Sequence, residues 1–321
     1  MSALRILVNG GGAAELTREL AIPHTLGELR EGQGDGAIAV MLAETDVFVS
    51  AVFKPAWRGP PARGPRLVHS DGAGVDAIDF ASLPTGCQVC NVHGHERGLA
   101  EHVVMLMLAL RRNLLGMDAA LRRGNWTPQR PYLSEMRDRN LLVLGLGHVG
   151  SEVARWGRFM EMRVRALTRS PAKARPAGPG LCAVGALGEL DAHLPGADFV
   201  VVAIPAAEGT VDLIGGRQLQ RMKPEAFIVN VGRARVINEA ALYEALRARR
   251  IAGAGLDVWY RYPDGGEKCL PSRLPFQDLD NVIMTPHKPT AETMAYRWRE
   301  IGKNIGRLAR GEPLHNLVGA A

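Results

Sequence analysis

The sequence predicts an α/β protein of two domains, one of them built on a doubly wound parallel sheet. Three observations carry this. Short apolar runs alternate with helical patterns along most of the 321 residues, as expected when parallel strands are joined through crossover helices. A glycine-rich turn lies in mid-chain, directly after an apolar run and before a helical pattern. The length exceeds what one hydrophobic core comfortably serves and suits two.

Taken in order, residues 4–9, 37–41, 46–50, 67–70 and 88–92 read as strands with helices between them, which makes a small α/β domain. Residues 97–112 read as a long helix, with Val103, Leu106, Met107 and Leu110 at helical spacing. A polar stretch carrying Gly124, Pro128 and Pro131 follows. A second α/β pattern then begins, with 140–145 as strand, 148–160 as helix and 163–168 as strand. Residues 199–204, 227–231, 253–258 and 282–285 continue as strands. The clearest helix between them is 240–249, and 291–310 is the last.

Hydrophobic residues make up 46% and charged residues 22% of the chain, the balance of an ordinary globular protein. The net charge is +6, and six of the 39 cations are lysine. The arginines are scattered in doublets such as Arg111-Arg112 rather than clustered. That argues against a nucleic-acid surface and suits a small anionic ligand. The apolar stretch 103–110 is far short of a bilayer span, and residues 1–9 read as a strand rather than a cleavable leader. A cytoplasmic protein with no membrane partner is expected. Cys87 and Cys90 stand three apart on a strand, so their thiols point to opposite faces, and the pair reads as structural rather than redox-active or metal-binding.

The mid-chain turn is Gly145-Leu146-Gly147-His148-Val149-Gly150, after the strand-like Leu141-Leu142-Val143-Leu144. This is the context a dinucleotide needs. Gly145 permits the tight turn, Gly147 lets backbone approach a pyrophosphate, and Gly150 lets helix pack on strand. The helix N-terminus adds N–H groups and positive potential. The end of the next strand selects the cofactor: an NAD site normally carries a carboxylate there for the ribose 2′-hydroxyl. Here the residues are Thr168, Arg169 and Ser170, with Lys173 nearby. They suit a 2′-phosphate, so NADP(H) is expected to be preferred, with NAD(H) the alternative.

Further segments are Asn230-Val231-Gly232-Arg233, Ala254-Gly255-Leu256-Asp257-Val258 and Thr285-Pro286-His287. Ahead of them stand Ser70-Asp71-Gly72-Ala73-Gly74-Val75-Asp76 and Ala100-Glu101-His102. Together, in order, they resemble the D-2-hydroxyacid dehydrogenases, glyoxylate and hydroxypyruvate reductases among them. The resemblance implies a Rossmann cofactor domain at 113–289. It implies a smaller flavodoxin-like substrate domain from 1–112 and 290–321, with the active site in the cleft. It implies that His287 is the general acid/base and that Arg233 binds the substrate carboxylate and carbonyl. Gly72, Ala73 and Gly74 would form a carboxylate cradle. Ile204, Pro205, Val231, Gly232 and Asp257 would line the cofactor, and the chain would form a homodimer.

The chain departs from the family at Tyr262, where most members carry a Glu that pairs with the catalytic histidine. A phenol cannot stabilise imidazolium as a carboxylate does, so reduction is expected to be favoured toward mildly acidic pH. Lys288 sets an unusual cation beside His287 and is a candidate substrate contact. His93-Gly94-His95-Glu96 reads as a polar loop, and no metal is expected. Two alternatives stay open: a dehydrogenase of an unusual small anion, suggested by Tyr262 and Lys288, and a non-catalytic dinucleotide sensor of the same fold.

Overall fold

Apolar strands buried on both faces form the centre of each half of the chain, as parallel sheets require. The computed structural model describes residues 3–59, 64–126, 134–173, 183–263, 268–287 and 291–320. The chain divides into one unit of Met1–Gly94 with Thr290–Ala321 and a second of His95–Pro289.

In the second unit seven parallel strands lie in the order Ala183–Ala186, Arg163–Thr168, Asn140–Leu144, Phe199–Val202, Phe227–Asn230, Gly253–Leu256, Val282–Met284. Numbered along the unit this is 3-2-1-4-5-6-7, the doubly wound order, and it reverses between Asn140–Leu144 and Phe199–Val202. Helix Glu96–Arg111 belongs here, not in the first unit where the sequence boundary at 112 placed it. The reason is its apolar stripe. Ala100, Val103, Leu106, Met107 and Leu110 share a core with Leu141, Val143, Phe199 and Val229, and a Cβ on Gly255 would come within 3.1 Å of Leu106.

The first unit holds a six-stranded sheet. Its order is Leu317–Ala320, Gln88–Cys90, Leu67–His69, Val47–Val49, Leu4–Val8, His24–Glu28. The last five are parallel in the flavodoxin-like order 2-1-3-4-5, and Leu317–Ala320 joins antiparallel to Gln88–Cys90. Helix Ala291–Arg310 packs Trp298, Ile301, Ile305 and Leu308 onto one face. Cys90 lies in that core and Cys87 in the core of the other face. Burial pushes both thiols up to about 12, which leaves them unreactive.

Residues 37–41, read as a strand, are part of helix Asp35–Ala43. Its buried residues are Ile38 and Leu42, one helical turn apart, while Val40 is 69% exposed. No helix among the described residues is long and apolar enough to cross a membrane.

A buried polar knot ties the last helix to the sheet. His69 Nδ1 is 2.9 Å from the Ser70 carbonyl, and Asn304 Nδ2 is 3.0 Å from His69 Nε2. Asn304 also accepts from the His315 N–H and donates to the His315 carbonyl. Burial holds the imidazole down at about 4, against roughly 6.5 in an unfolded chain. The unfolded chain therefore takes up a proton that the folded unit refuses. This part of the stability is complete above about pH 6.5 and is lost as pH falls toward 4, roughly 3 kcal/mol in all. In urea titrations between pH 7 and 4.5, His69→Gln should lose less stability than the parent; equal losses would refute the assignment.

Candidate functional site

Of the three glycines after Asn140–Leu144, Gly145 and Gly150 are required by close contacts and Gly147 faces open space. Gly145 has φ 97°, and a Cβ there would lie 2.6 Å from the Ala203 carbonyl oxygen. Its N–H donates to Leu167 O at 2.8 Å. Gly147 caps helix His148–Phe159, and a Cβ on it would meet nothing within 4 Å. A Cβ on Gly150 would come to 1.9 Å from Gly145 O, so only glycine lets this helix pack so close. The open face at Gly147 and the first-turn N–H groups lie at the reversal of strand order, where dinucleotides bind. Leu146 is buried and Val149 half-buried beneath the turn, while His148 is exposed, with Nδ1 3.8 Å from Glu96 Oε1.

Ile204 and Pro205 leave Phe199–Val202 on the other side of the reversal, and Thr210 Oγ1 donates to Pro205 O at 2.8 Å. Half-buried Thr168 ends Arg163–Thr168, exposed Arg169 and Ser170 follow, and Lys173 closes the turn Pro171–Lys173. None of these residues is a carboxylate.

The second cluster grows from the ends of three further strands. Asn230, 1% exposed, accepts the Gly232 N–H at 3.1 Å and donates to the Arg233 carbonyl at 3.0 Å. This shapes the turn after buried Val231. Gly232 fits because a Cβ would lie 2.5 Å from Ile204 O. Arg233 is half-buried, with Nη1 donating to Gly232 O at 2.8 Å.

Asp257, 4% exposed, directly follows the strand Gly253–Leu256. Its Oδ1 accepts Thr285 Oγ1 at 2.6 Å and the His287 N–H at 3.1 Å. His102 Nε2 stands 3.0 Å from Thr285 Oγ1 and 3.5 Å from the same carboxylate oxygen. His287 is thereby held at φ 53°, left-handed backbone uncommon for a side chain of this kind and often found at functional sites.

The Tyr262 hydroxyl lies 3.0 Å from His287 Nδ1 and accepts the Trp259 N–H at 3.1 Å. A phenol both donates and accepts, so it can serve either neutral tautomer or the imidazolium, and it brings no charge. His287 is exposed by surface area, yet the protein bulk beside its ring lowers its pKa below the ordinary 6.5. Asp257 pulls the other way, and the Arg233 charge lowers it further. Burial raises the Tyr262 phenol above its usual value, against the Trp259 N–H and Arg233, so Tyr262 stays protonated.

Arg233, Asp257, Tyr262 and His287 are thus brought together in the second unit. Asn230, Thr285 and His102 had no role assigned from sequence. The available signal was Asn230, a polar residue closing an apolar strand. Lys288 lies outside the described residues.

In the first unit the turn after Leu67–His69 is fixed from within. Ser70 Oγ donates to Gly74 O at 2.7 Å and accepts the Gly72 N–H at 3.3 Å. Asn91 Nδ2 donates to Ala73 O at 2.8 Å.

Residues 104–288 match the family model described as D-isomer specific 2-hydroxyacid dehydrogenase, NAD binding domain. The chain is 34% identical over 261 residues to D-3-phosphoglycerate dehydrogenase of Archaeoglobus fulgidus, covering 80% of this chain and 48% of that one. It spans about half the length of the phosphoglycerate dehydrogenases it matches. Hydroxypyruvate reductase of Thermotoga maritima is 28% identical over 301 residues, 92% of this chain and 95% of that one. Among solved structures, an NADPH-dependent glyoxylate/hydroxypyruvate reductase from Sinorhizobium meliloti superimposes with a TM-score of 0.79 at 25% identity, covering 98% of each chain. The chain belongs to the D-isomer specific 2-hydroxyacid dehydrogenase family.

Proposed function

We propose that the chain is an NADP(H)-preferring reductase of small 2-oxo acids of the glyoxylate and hydroxypyruvate kind. The observation that carries this is His287, fixed at φ 53° by Asp257 within the field of Arg233, in the unit that carries the glycine turn. A bound nicotinamide dinucleotide supplies the hydride for the carbonyl carbon. Arg233 holds the substrate carboxylate and polarises the carbonyl. His287, through the nitrogen not facing Tyr262, gives the proton to the carbonyl oxygen and takes it back in oxidation. The turn Gly72-Ala73-Gly74 serves as the carboxylate cradle through the N–H groups of Ala73 and Gly74, the Gly72 N–H being held by Ser70 Oγ. Names of matched relatives support the substrate range.

Arg169, with the hydroxyls of Thr168 and Ser170, selects the 2′-phosphate. Charge-assisted bonds of this kind contribute about 1.5–3 kcal/mol each, so kcat/KM for NADPH should exceed that for NADH by roughly ten- to hundred-fold. Thr168→Asp should reverse the order. Equal rates with both cofactors across glyoxylate and hydroxypyruvate would defeat this reading.

The proton step gives a pH signature. Reduction needs imidazolium, so its kcat/KM should fall as pH rises through a His287 pKa below 6.5. Oxidation should rise over the same window. Tyr262→Glu puts a carboxylate beside Nδ1 and should move that limb up by about 1–3 pH units. An unmoved limb in the pH–rate profile would rule His287 out as the titrating group.

A second copy of the chain is the proposed partner. Leu114, Leu115 and Leu121 of helix Leu114–Arg122 are exposed, and Trp126 is 83% exposed. A surface this apolar favours burial against its own kind. Sedimentation equilibrium should return a dimer, and Leu115→Glu with Leu121→Glu should shift it toward monomer.

A further inference from the structure

Helix Glu96–Arg111 packs onto the sheet of the second unit through Ala100, Val103, Leu106, Met107 and Leu110. Burial of that stripe also fixes where His102, the residue before Val103, can reach. Its side chain is 26% exposed, and Nε2 lies 3.0 Å from Thr285 Oγ1 and 3.5 Å from Asp257 Oδ1. The chemistry proposed above uses Asp257 and His287 and gives His102 nothing to do.

The proton count on Thr285 fixes the direction of these bonds. A hydroxyl has one proton and two lone pairs. That proton goes to Asp257 Oδ1 at 2.6 Å, a charge-assisted bond, in preference to the Leu256 carbonyl at 3.3 Å. Toward His102 the Thr285 oxygen then accepts, so His102 Nε2 carries a hydrogen and donates. The other tautomer would set a bare nitrogen against both Thr285 Oγ1 and Asp257 Oδ1.

Thr285 is held at each of its polar atoms. Its N–H donates to Leu256 O at 2.9 Å, its carbonyl accepts Trp259 Nε1 at 2.8 Å, and its hydroxyl spans His102 and Asp257. Pro286 follows, with its φ set by the pyrrolidine ring. A small rotation of Thr285 therefore passes to His287, whose N–H closes the loop on Asp257 Oδ1 at 3.1 Å. Without the His102 donor, the Thr285 hydroxyl can turn to Leu256 O, and the carboxylate loses a restraint.

We propose that His102 is a positioning residue: through Thr285 it holds Asp257, and with it the His287 ring, in the geometry of the proton step. The proposal rests on the reductase reading. Its test compares His102→Gln with His102→Met. Both are good helix formers of similar shape. Gln Nε2 is the same number of bonds from Cβ as His Nε2 and keeps the donor, which Met lacks. Circular dichroism checks that both variants fold.

With glyoxylate and NADPH, His102→Met should lower kcat about ten- to hundred-fold, the cost of a small misplacement of a reacting group. KM for glyoxylate should stay, because Arg233 still holds the carboxylate. His102→Gln should return kcat to within about threefold of the parent. Thr285→Val should itself be slow, and adding His102→Met to it should cost less than about threefold more, because the link is already cut. A merely structural role would lower the melting temperature without this split or this rescue. With an active parent, three results overturn the assignment and leave the reductase reading standing: His102→Met near the parent rate, His102→Gln as slow as His102→Met, or losses that multiply in the double variant. A parent that turns over neither glyoxylate nor hydroxypyruvate overturns both.

Discussion

Replacing His287 with asparagine is expected to lower kcat by roughly two to four orders of magnitude with little change in cofactor affinity. Asparagine is the informative choice because the position has φ 53°, a conformation that Asn adopts more readily than most residues. The backbone N–H that binds Asp257 is kept, so the turn survives and the titratable ring is lost. The amide cannot give or take a proton in the working pH range, and the pH dependence of reduction should vanish with the rate. Circular dichroism and NADPH titration would check that fold and cofactor site persist. A variant that keeps more than a tenth of the parent rate would move the proton donor elsewhere, with the Tyr262 hydroxyl the nearest candidate at 3.0 Å from the ring.

The other large effect separates folding from cofactor binding on a single turn. Gly150→Ala puts a methyl 1.9 Å from Gly145 O. That contact is with backbone, so the helix His148–Phe159 must shift against the sheet that carries it. A cost of about 3 kcal/mol is expected, seen as a melting temperature lower by on the order of 10 °C. Gly147→Ala meets nothing within 4 Å and should melt like the parent. Its methyl instead stands where a pyrophosphate approaches, and the loss of one or two backbone contacts to phosphate should weaken NADPH by about ten- to hundred-fold. Calorimetry on both variants reads the two effects apart. If Gly147→Ala binds NADPH normally, the phosphates do not lie where the turn implies.

Much of this was legible in the sequence, and for a physical reason. Gly145 and Gly150 are constrained by close approaches that only glycine allows, so the requirement shows as spacing. The strands of the second unit are buried on both faces and read as unbroken apolar runs. Edge strands gave no such signal. His24–Glu28 is mostly exposed or half-exposed, and Ala183–Ala186 borders only one neighbour. The run at 37–41 misled because a short apolar segment does not distinguish strand from helix, and its periodicity emerges only with Ile38 and Leu42 buried one turn apart.

Within the site, Arg233 and His287 were marked by their segments. Their restraint was not. Asp257 accepts both Thr285 and the His287 backbone from a distant strand, and such tertiary bonds have no local pattern. The placement of helix Glu96–Arg111 was hidden for the same reason. Its stripe predicts that it packs, but not against which sheet.

The partition of the chain also bears on the order in which it can fold during synthesis. The second unit is a continuous segment, and every described strand of its sheet lies within His95–Pro289. The first unit must wait. Its core takes Trp298, Ile301 and Ile305 from helix Ala291–Arg310, its knot takes Asn304, and its sheet edge takes Leu317–Ala320. Until those residues leave the ribosome, Gln88–Cys90 presents an unpaired edge, and one face of the sheet lacks the larger part of its cover. Unpaired edges and bare apolar faces are what nascent chains aggregate through. The early unit would therefore be protected while its host is not, and chaperone dependence in this protein should concentrate on the segment made first.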